Sequence, residues 1–185
     1  MVSNSSSEKV QIKLKNFKLL EIYSGKKKFM KEFFSDKATV IMFICNHCPY
    51  VKHINNELVR LTKEYLLKGV SFLAINSNNV EKYPEDSPKN MKKTYDKLGY
   101  VFPYFFDETQ EVAKYYKAEC TPEFFIFSGK GDLYYHGQLD DSRPGNKIPV
   151  TGKDISNILK RILNGDSFKE IPIVKVSSGC NIKWK

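Results

Sequence analysis

Two cysteines stand two residues apart in "CNHCPYVKH", residues 45–53, with a histidine between them and a proline directly after. The spacing Cys45-x-x-Cys48 serves three chemistries: dithiol redox exchange, half of a zinc site, and haem attachment. Haem attachment needs a histidine directly after the second cysteine, and residue 49 is proline. Structural zinc needs four ligands, usually a second cysteine or histidine pair. The other cysteines, Cys120 and Cys180, are single and 60 positions apart. Redox exchange fits better than either. A disulfide between Cys45 and Cys48 closes a very small loop. At a helix start, unpaired N–H groups and the helix dipole favour a thiolate on Cys45. Cys45 is then expected to attack a disulfide, with Cys48 one turn further in as the resolving thiol. His47 is expected to tune the pair by charge or hydrogen bonding, the alternative being a solvated polar residue. The plainest alternative for both cysteines is that they are small buried apolar residues.

The elements around the pair must supply that helix start. "TVIMFIC" (39–45) is apolar throughout and β-branched, the pattern of a strand buried on both faces. Val51, Ile54, Leu58, Leu61 and Tyr65 follow at spacings of three and four, one face of a helix that Gly69 ends. "GVSFLAIN" (69–76) is a second buried strand. Pro88 can begin a helix capped by Ser87; "FPYFFD" (102–107) is a short strand, and a helix is expected from Thr109 to residue 117. "EFFIFS" and "DLYYHGQ" flank "GKG" as a hairpin, and "KDISNILKRILNG" is a last helix. A strand–helix–strand start implies a parallel pair with a right-handed crossover. The expected architecture is α/β, a mixed central sheet flanked by helices, with Cys45 at the carboxyl edge where sites collect in open sheets.

The chain has 185 residues, enough for one domain and a sizeable core. Residues 1–13 are expected to form a flexible arm and 14–185 a single domain. No apolar run reaches the length of a membrane helix, and the start has no apolar core of signal-peptide type, so the cytoplasm is the expected compartment. The formal charge of +9 comes mostly from lysines spread along the chain, with little arginine. That distribution fits a solvated surface, and neither a nucleic-acid nor a membrane partner is expected. Four cysteines are too few for a secreted disulfide scaffold. "CTPEFF" (120–125) is the second informative stretch: Thr121-Pro122 precedes an apolar strand, where proline marks a strand start or a special turn.

These motifs carry a resemblance. "FICNHCPYVKHI", "LAINSNN", "YPEDSPKNMK", "GYVFPYFFDETQEVAKYYKAECTPEFFIF", "YYHGQLDDSRPGN" and "GCNIKWK" resemble the peroxiredoxin-like thioredoxin subfamily, redoxin-domain proteins of AhpC/TSA type, from about residue 14 to the end. The resemblance implies a thioredoxin fold with an N-terminal strand extension and an insertion near 77–100. It implies a redox-active Cys45–Cys48 pair faced by a cis Pro122, and a Thr121 backbone that pairs with an incoming chain like an added strand. A protein or small-molecule disulfide as substrate and a thiol reductant as partner are implied, with no cofactor and no metal. Thioredoxins proper carry a tryptophan just before the first cysteine and a buried acid six residues before it; here Ile44 and Thr39 stand there. Glu123 is therefore expected as the proton acceptor for Cys48, and Cys120 as an additional thiol. Peroxiredoxins place a threonine three residues before the peroxidatic cysteine, whereas Met42 stands three before Cys45. Arg143 could stabilise a thiolate or a peroxide, or order its loop against Asp140 or Asp141. Thiol–disulfide exchange is the leading function, with a thiol peroxidase using Cys45 and a copper(I) module on Cys45 and Cys48 as alternatives.

Overall fold

The structure is a computed structural model that describes residues 2–8 and 11–185. Among the described residues, eleven strands and four α-helices follow one another: β1 (Val2–Asn4), β2 (Lys18–Glu21), β3 (Lys26–Phe29), β4 (Ala38–Phe43), α1 (Pro49–Leu66), β5 (Val70–Asn76), α2 (Pro88–Leu98), β6 (Tyr104–Phe106), α3 (Glu111–Tyr116), β7 (Cys120–Thr121), β8 (Glu123–Ser128), β9 (Leu133–Gly137), α4 (Lys153–Leu163), β10 (Ile173–Lys175) and β11 (Ser178–Asn181). Short 3-10 turns occupy Met30–Phe33 and Pro84–Asp86.

Eight strands form one mixed sheet in the order β10-β9-β8-β4-β5-β6-β2-β3. β4, β5 and β6 are parallel neighbours, while β8 lies antiparallel to β4. The side chains of β4 and β8 alternate between two cores. Val40, Met42, Phe124 and Ile126 join the face covered by α1 and α4; Ile41, Phe43, Phe125 and Phe127 join the face covered by α3. Burial on both faces is why β4 reads as a continuous apolar run. The five residues assigned to one face of α1 are all buried, and each such side chain contributes about 1.5–3 kcal/mol on leaving water.

This is the expected fold, with its strand extension (β2 and β3) and its insertion, which the second 3-10 turn and α2 fill. Two local features differ from expectation. Val2–Asn4 is a strand paired with β11 where a loose arm was expected; residues 1, 9 and 10 of that arm lie outside the described residues. Helix α3 begins two residues later than Thr109. Its N-cap, Gln110, sits at φ 64°, and its amide donates to the carbonyls of Ser77 and Lys183. The tail forms two strands in different sheets. β10 extends the large sheet beside β9, and β11 lies between β1 and β7 in a small antiparallel sheet.

Candidate active site

Strand β4 delivers the chain to the site. Beyond it, the Ile44 N–H donates to the Ile75 carbonyl at 3.1 Å, and the chain turns through Asn46 and His47 into α1. Cys48 is the N-cap and Pro49 the first helical residue, a position where the missing N–H costs nothing. All four cysteines are free thiols. Cys45 and Cys48 are within hydrogen-bonding reach of each other and are 2% and 0% exposed. Thr121 faces both. Its hydroxyl is 3.3 Å from Cys45 Sγ, and its carbonyl accepts from Cys48 Sγ at 3.2 Å. The Thr121–Pro122 peptide bond is cis.

The two sulfurs hold one proton more tightly than two. Cys48 is drawn down to about 5, chiefly by its hydrogen bond with Cys45, against burial, and helped by the Val51 amide in the first turn of α1. Cys45 is pushed well above its ordinary value by burial first, then by its bond to Cys48 and the charge of Asp86. The sequence places the thiolate on Cys45. The structure corrects this: it lowers Cys48 and raises Cys45, so the thiolate falls on Cys48, where the first-turn Val51 N–H also favours it.

His47 works through a carboxylate that the sequence reading missed. Its Nδ1 lies 2.5 Å from Asp86 Oδ2 and 3.8 Å from Cys45 Sγ, so the shorter contact is with the acid. Asp86 is fully buried and also accepts from the Asn46 N–H, the His47 N–H and Asn78 Nδ2. Burial would raise its carboxyl, but these bonds, His47 first, outweigh that and hold it below the ordinary value. Tyr83 stacks on the imidazole at 5.2 Å between ring centres. Asp86 sits in "YPEDSP", a stretch that looks solvated, and nothing local marks its burial. Cys45 Sγ, a ring nitrogen of His47 and an Asp86 oxygen lie within 4.8 Å of one another, the geometry of three metal donors. A metal ion there would compete with the four hydrogen bonds that Asp86 already accepts.

The remaining candidates separate from the pair. Glu123 does not face Cys48. By strand alternation it shares the face of Phe125 and Phe127, opposite α1, where it pairs with His136 Nε2 at 2.5 Å and accepts from the Glu119 and Cys120 N–H groups. Its expected role as proton acceptor for Cys48 is therefore corrected. Cys120 is fully buried, its Sγ 3.9 Å from both Glu123 Oε2 and the Ser177 carbonyl, and burial pushes its thiol far above the usual range. Arg143 orders its loop, but through neutral partners: its guanidinium donates to the carbonyls of Asp140 and Ser142 and to Gln138 Oε1. The expected partner Asp140 instead accepts from the Ser142, Thr151 and Gly152 N–H groups, and Asp141 pairs with Lys153.

The edge at Thr121, expected to receive an incoming chain, is occupied by the protein's own tail. Cys180 of β11 is the register partner of Thr121, and Asn181 of Cys120. A Cβ on Gly179 would lie 2.0 Å from the Thr121 carbonyl oxygen, so only glycine permits this approach. Beyond β11, the Lys183 N–H donates to Asn78 Oδ1, and its carbonyl accepts from the Asn79 N–H and Gln110 Nε2.

The sequence profile described as the AhpC/TSA family matches residues 10–136. No curated protein matches the chain. Among solved structures, an uncharacterized conserved protein from Geobacillus kaustophilus is 53% identical over 100% of this chain and 97% of its own, with a TM-score of 0.94. A hypothetical protein from Sinorhizobium meliloti 1021 is 36% identical over 98% of each chain, with a TM-score of 0.91. A secreted disulfide oxidoreductase of Mycobacterium tuberculosis is 14% identical over 78% of this chain and 94% of its own, at a TM-score of 0.59, a likeness of fold alone. A profile covering more than half of the sequence, on a thioredoxin-like sheet with a dithiol at its carboxyl edge, makes this chain a member of the AhpC/TSA family.

Proposed function

We propose that the protein is a thiol–disulfide oxidoreductase that works through Cys45 and Cys48. The observation that carries this reading is the contact between the two sulfurs at the start of α1, which holds one proton between them. Cys45 retains the only exposure of the pair and meets the incoming disulfide. A thiolate on Cys45, left when its proton passes to Cys48, forms a bond to one substrate sulfur and releases the other as a thiolate. Cys48 then attacks Cys45 Sγ, the mixed disulfide breaks, and the second substrate thiol departs. Two electrons pass to the substrate and a Cys45–Cys48 disulfide remains. A thiol reductant reverses the last state. His47, held by Asp86, fixes the turn between the cysteines, and Thr121 positions both sulfurs. The compartment proposed is the cytoplasm, on the low cysteine count; no helix among the described residues is long and apolar enough to cross a membrane.

Reduction of a protein disulfide by a small thiol tests the proposal. The protein should accelerate it, and Cys45→Ser should abolish the acceleration. Cys48→Ser should accumulate a mixed disulfide on Cys45 whose partner can be identified by mass. A second reading, a thiol peroxidase, is favoured by the family profile. Fast peroxide turnover with little disulfide exchange would replace the first reading with the second.

A further inference from the structure

The mechanism above leaves one thiol at the site unused. Strand β11 places Cys180 opposite Thr121, the residue whose carbonyl lies 3.2 Å from Cys48 Sγ. Cys180 packs against the core on the α1 side, and its side chain and backbone both reach the Cys48 sulfur. Cys48 therefore touches two thiols, Cys45 through its own turn and Cys180 across the small sheet. The placement is firm: Gly179 lets the strands close, β1 covers the outer edge of β11, Ser5 exchanges hydrogen bonds with Ser177, and Asn78, Asn79 and Gln110 fasten Lys183.

We infer that Cys180 is a third redox thiol, which exchanges with the Cys45–Cys48 disulfide to form a Cys48–Cys180 disulfide and set Cys45 free. The inference rests on the dithiol reading of Cys45 and Cys48. A Cys180 thiolate forms a bond to Cys48 Sγ, and the electron pair of the Cys45–Cys48 bond leaves on Cys45. Cys45 takes up the proton that Cys180 gave up. One disulfide is broken and one is made, so no outside oxidant or reductant enters. The product joins the tail covalently to α1 and leaves Cys45 as a lone nucleophile. Burial, then the bond to Cys48, pushes the Cys180 thiol up to about 12 in the reduced protein. The second contribution disappears once Cys48 is oxidised, and the exchange should quicken as pH rises.

The full chain carrying Cys45→Ser, treated with oxidised glutathione, isolates this step. Cys48 should first take a glutathione, which Cys180 then displaces. After acid quench and alkylation, both Cys48 and Cys180 should be lost from the alkylated pool and their peptides should be found linked. Glutathione retained on Cys48 with Cys180 still alkylated would overturn the proposal. The unsubstituted protein provides the second measurement, independent of how the variant folds. Oxidised by glutathione across a pH series, it should contain a Cys48–Cys180 peptide beside the Cys45–Cys48 one, formed faster at higher pH. Only the Cys45–Cys48 link at every pH would sink the idea. Failure of the oxidoreductase reading would look different: no acceleration of substrate reduction and no mixed disulfide on Cys45, whatever the state of Cys180.

Discussion

The pH dependence of the reduction potential follows from the way the two sulfurs share a proton. Oxidation of the pair to a disulfide releases whatever protons the reduced form carries. Below pH 5 the reduced form carries two, and the potential should fall by about 59 mV per pH unit, twice the 29.6 mV that a tenfold change is worth for a two-electron couple. Above the first ionisation, at about 5, it carries one, and the slope should halve to about 30 mV per unit. Cys45, pushed upward by burial, keeps its proton through the neutral range. At pH 7 the first ionisation lies about two units down, which favours the reduced form by about 3 kcal/mol over a pair of ordinary thiols. That corresponds to a potential about 60 mV more positive. Redox titration against glutathione buffers between pH 4 and 8 measures slope and break together, read by tryptic mapping of the Cys45–Cys48 peptide. A constant slope near 59 mV per unit up to pH 8 would show that both thiols stay protonated and that the helix start holds no charge.

The stability of the reduced protein should follow the same ionisation. The folded-state value of Cys48 lies below that of an unfolded thiol, so its contribution is complete above about pH 9 and lost as pH falls through about 5; denaturant titrations should show the reduced form gaining on the oxidised form across that window. Asp86→Asn removes the charge that raises Cys45 and weakens bonds to a buried carboxylate, so it should acidify the Cys45 thiol in an alkylation pH profile and cost about 1.5–3 kcal/mol in stability. Glu123→Gln breaks a buried pair with His136 and should cost about 3–5 kcal/mol while leaving the titration of Cys45 and Cys48 unchanged; a shift in theirs would restore Glu123 as the proton acceptor for Cys48. Gly179→Ala drives a methyl into the Thr121 carbonyl, so it should cost about 1–3 kcal/mol and speed alkylation of Cys48.

The parts of this site that were legible in the sequence are those set by neighbours along the chain. The apolar run of β4, the three-and-four spacing of α1 and the proline after Cys48 together place a dithiol at a helix start. Asp86 was not legible, because its burial comes from the folding of residues 77–87 over the turn at Asn46 and His47, and an acid in a polar stretch looks solvated. Cys180 was not legible because its place depends on pairing between strands more than fifty residues apart. The misassignment of Glu123 had a local signal. In "EFFIFS" the odd positions share a face, and once Phe124 and Ile126 are given to the α1 side, Glu123 must point away from Cys48.

The tail is also what makes this dithiol a closed one. A two-residue strand such as β7 has unpaired backbone edges, and sheet edges of that kind accept whatever strand is offered. Here the strand offered is β11, at an effective concentration that no separate peptide matches. Peeling it away would break the bonds of Lys183 to Asn78, Asn79 and Gln110 and the bond from the Ile182 N–H to the Glu119 carbonyl, each worth about 0.5–1.5 kcal/mol net. It would also expose Ile182, which is 1% exposed and contributes about 1.5–3 kcal/mol by its burial. With several kcal/mol holding the strand down, spontaneous opening is rare. Beside the sulfurs His47 keeps some exposure, its side chain 19% exposed and its Nδ1 3.8 Å from Cys45 Sγ, and the tail braces it too, through Lys183 over the Tyr83 ring that stacks on the imidazole. The Asp86 network holds that imidazole in place, so the same buried carboxylate whose charge acts on Cys45 also fixes the partly exposed side chain beside it.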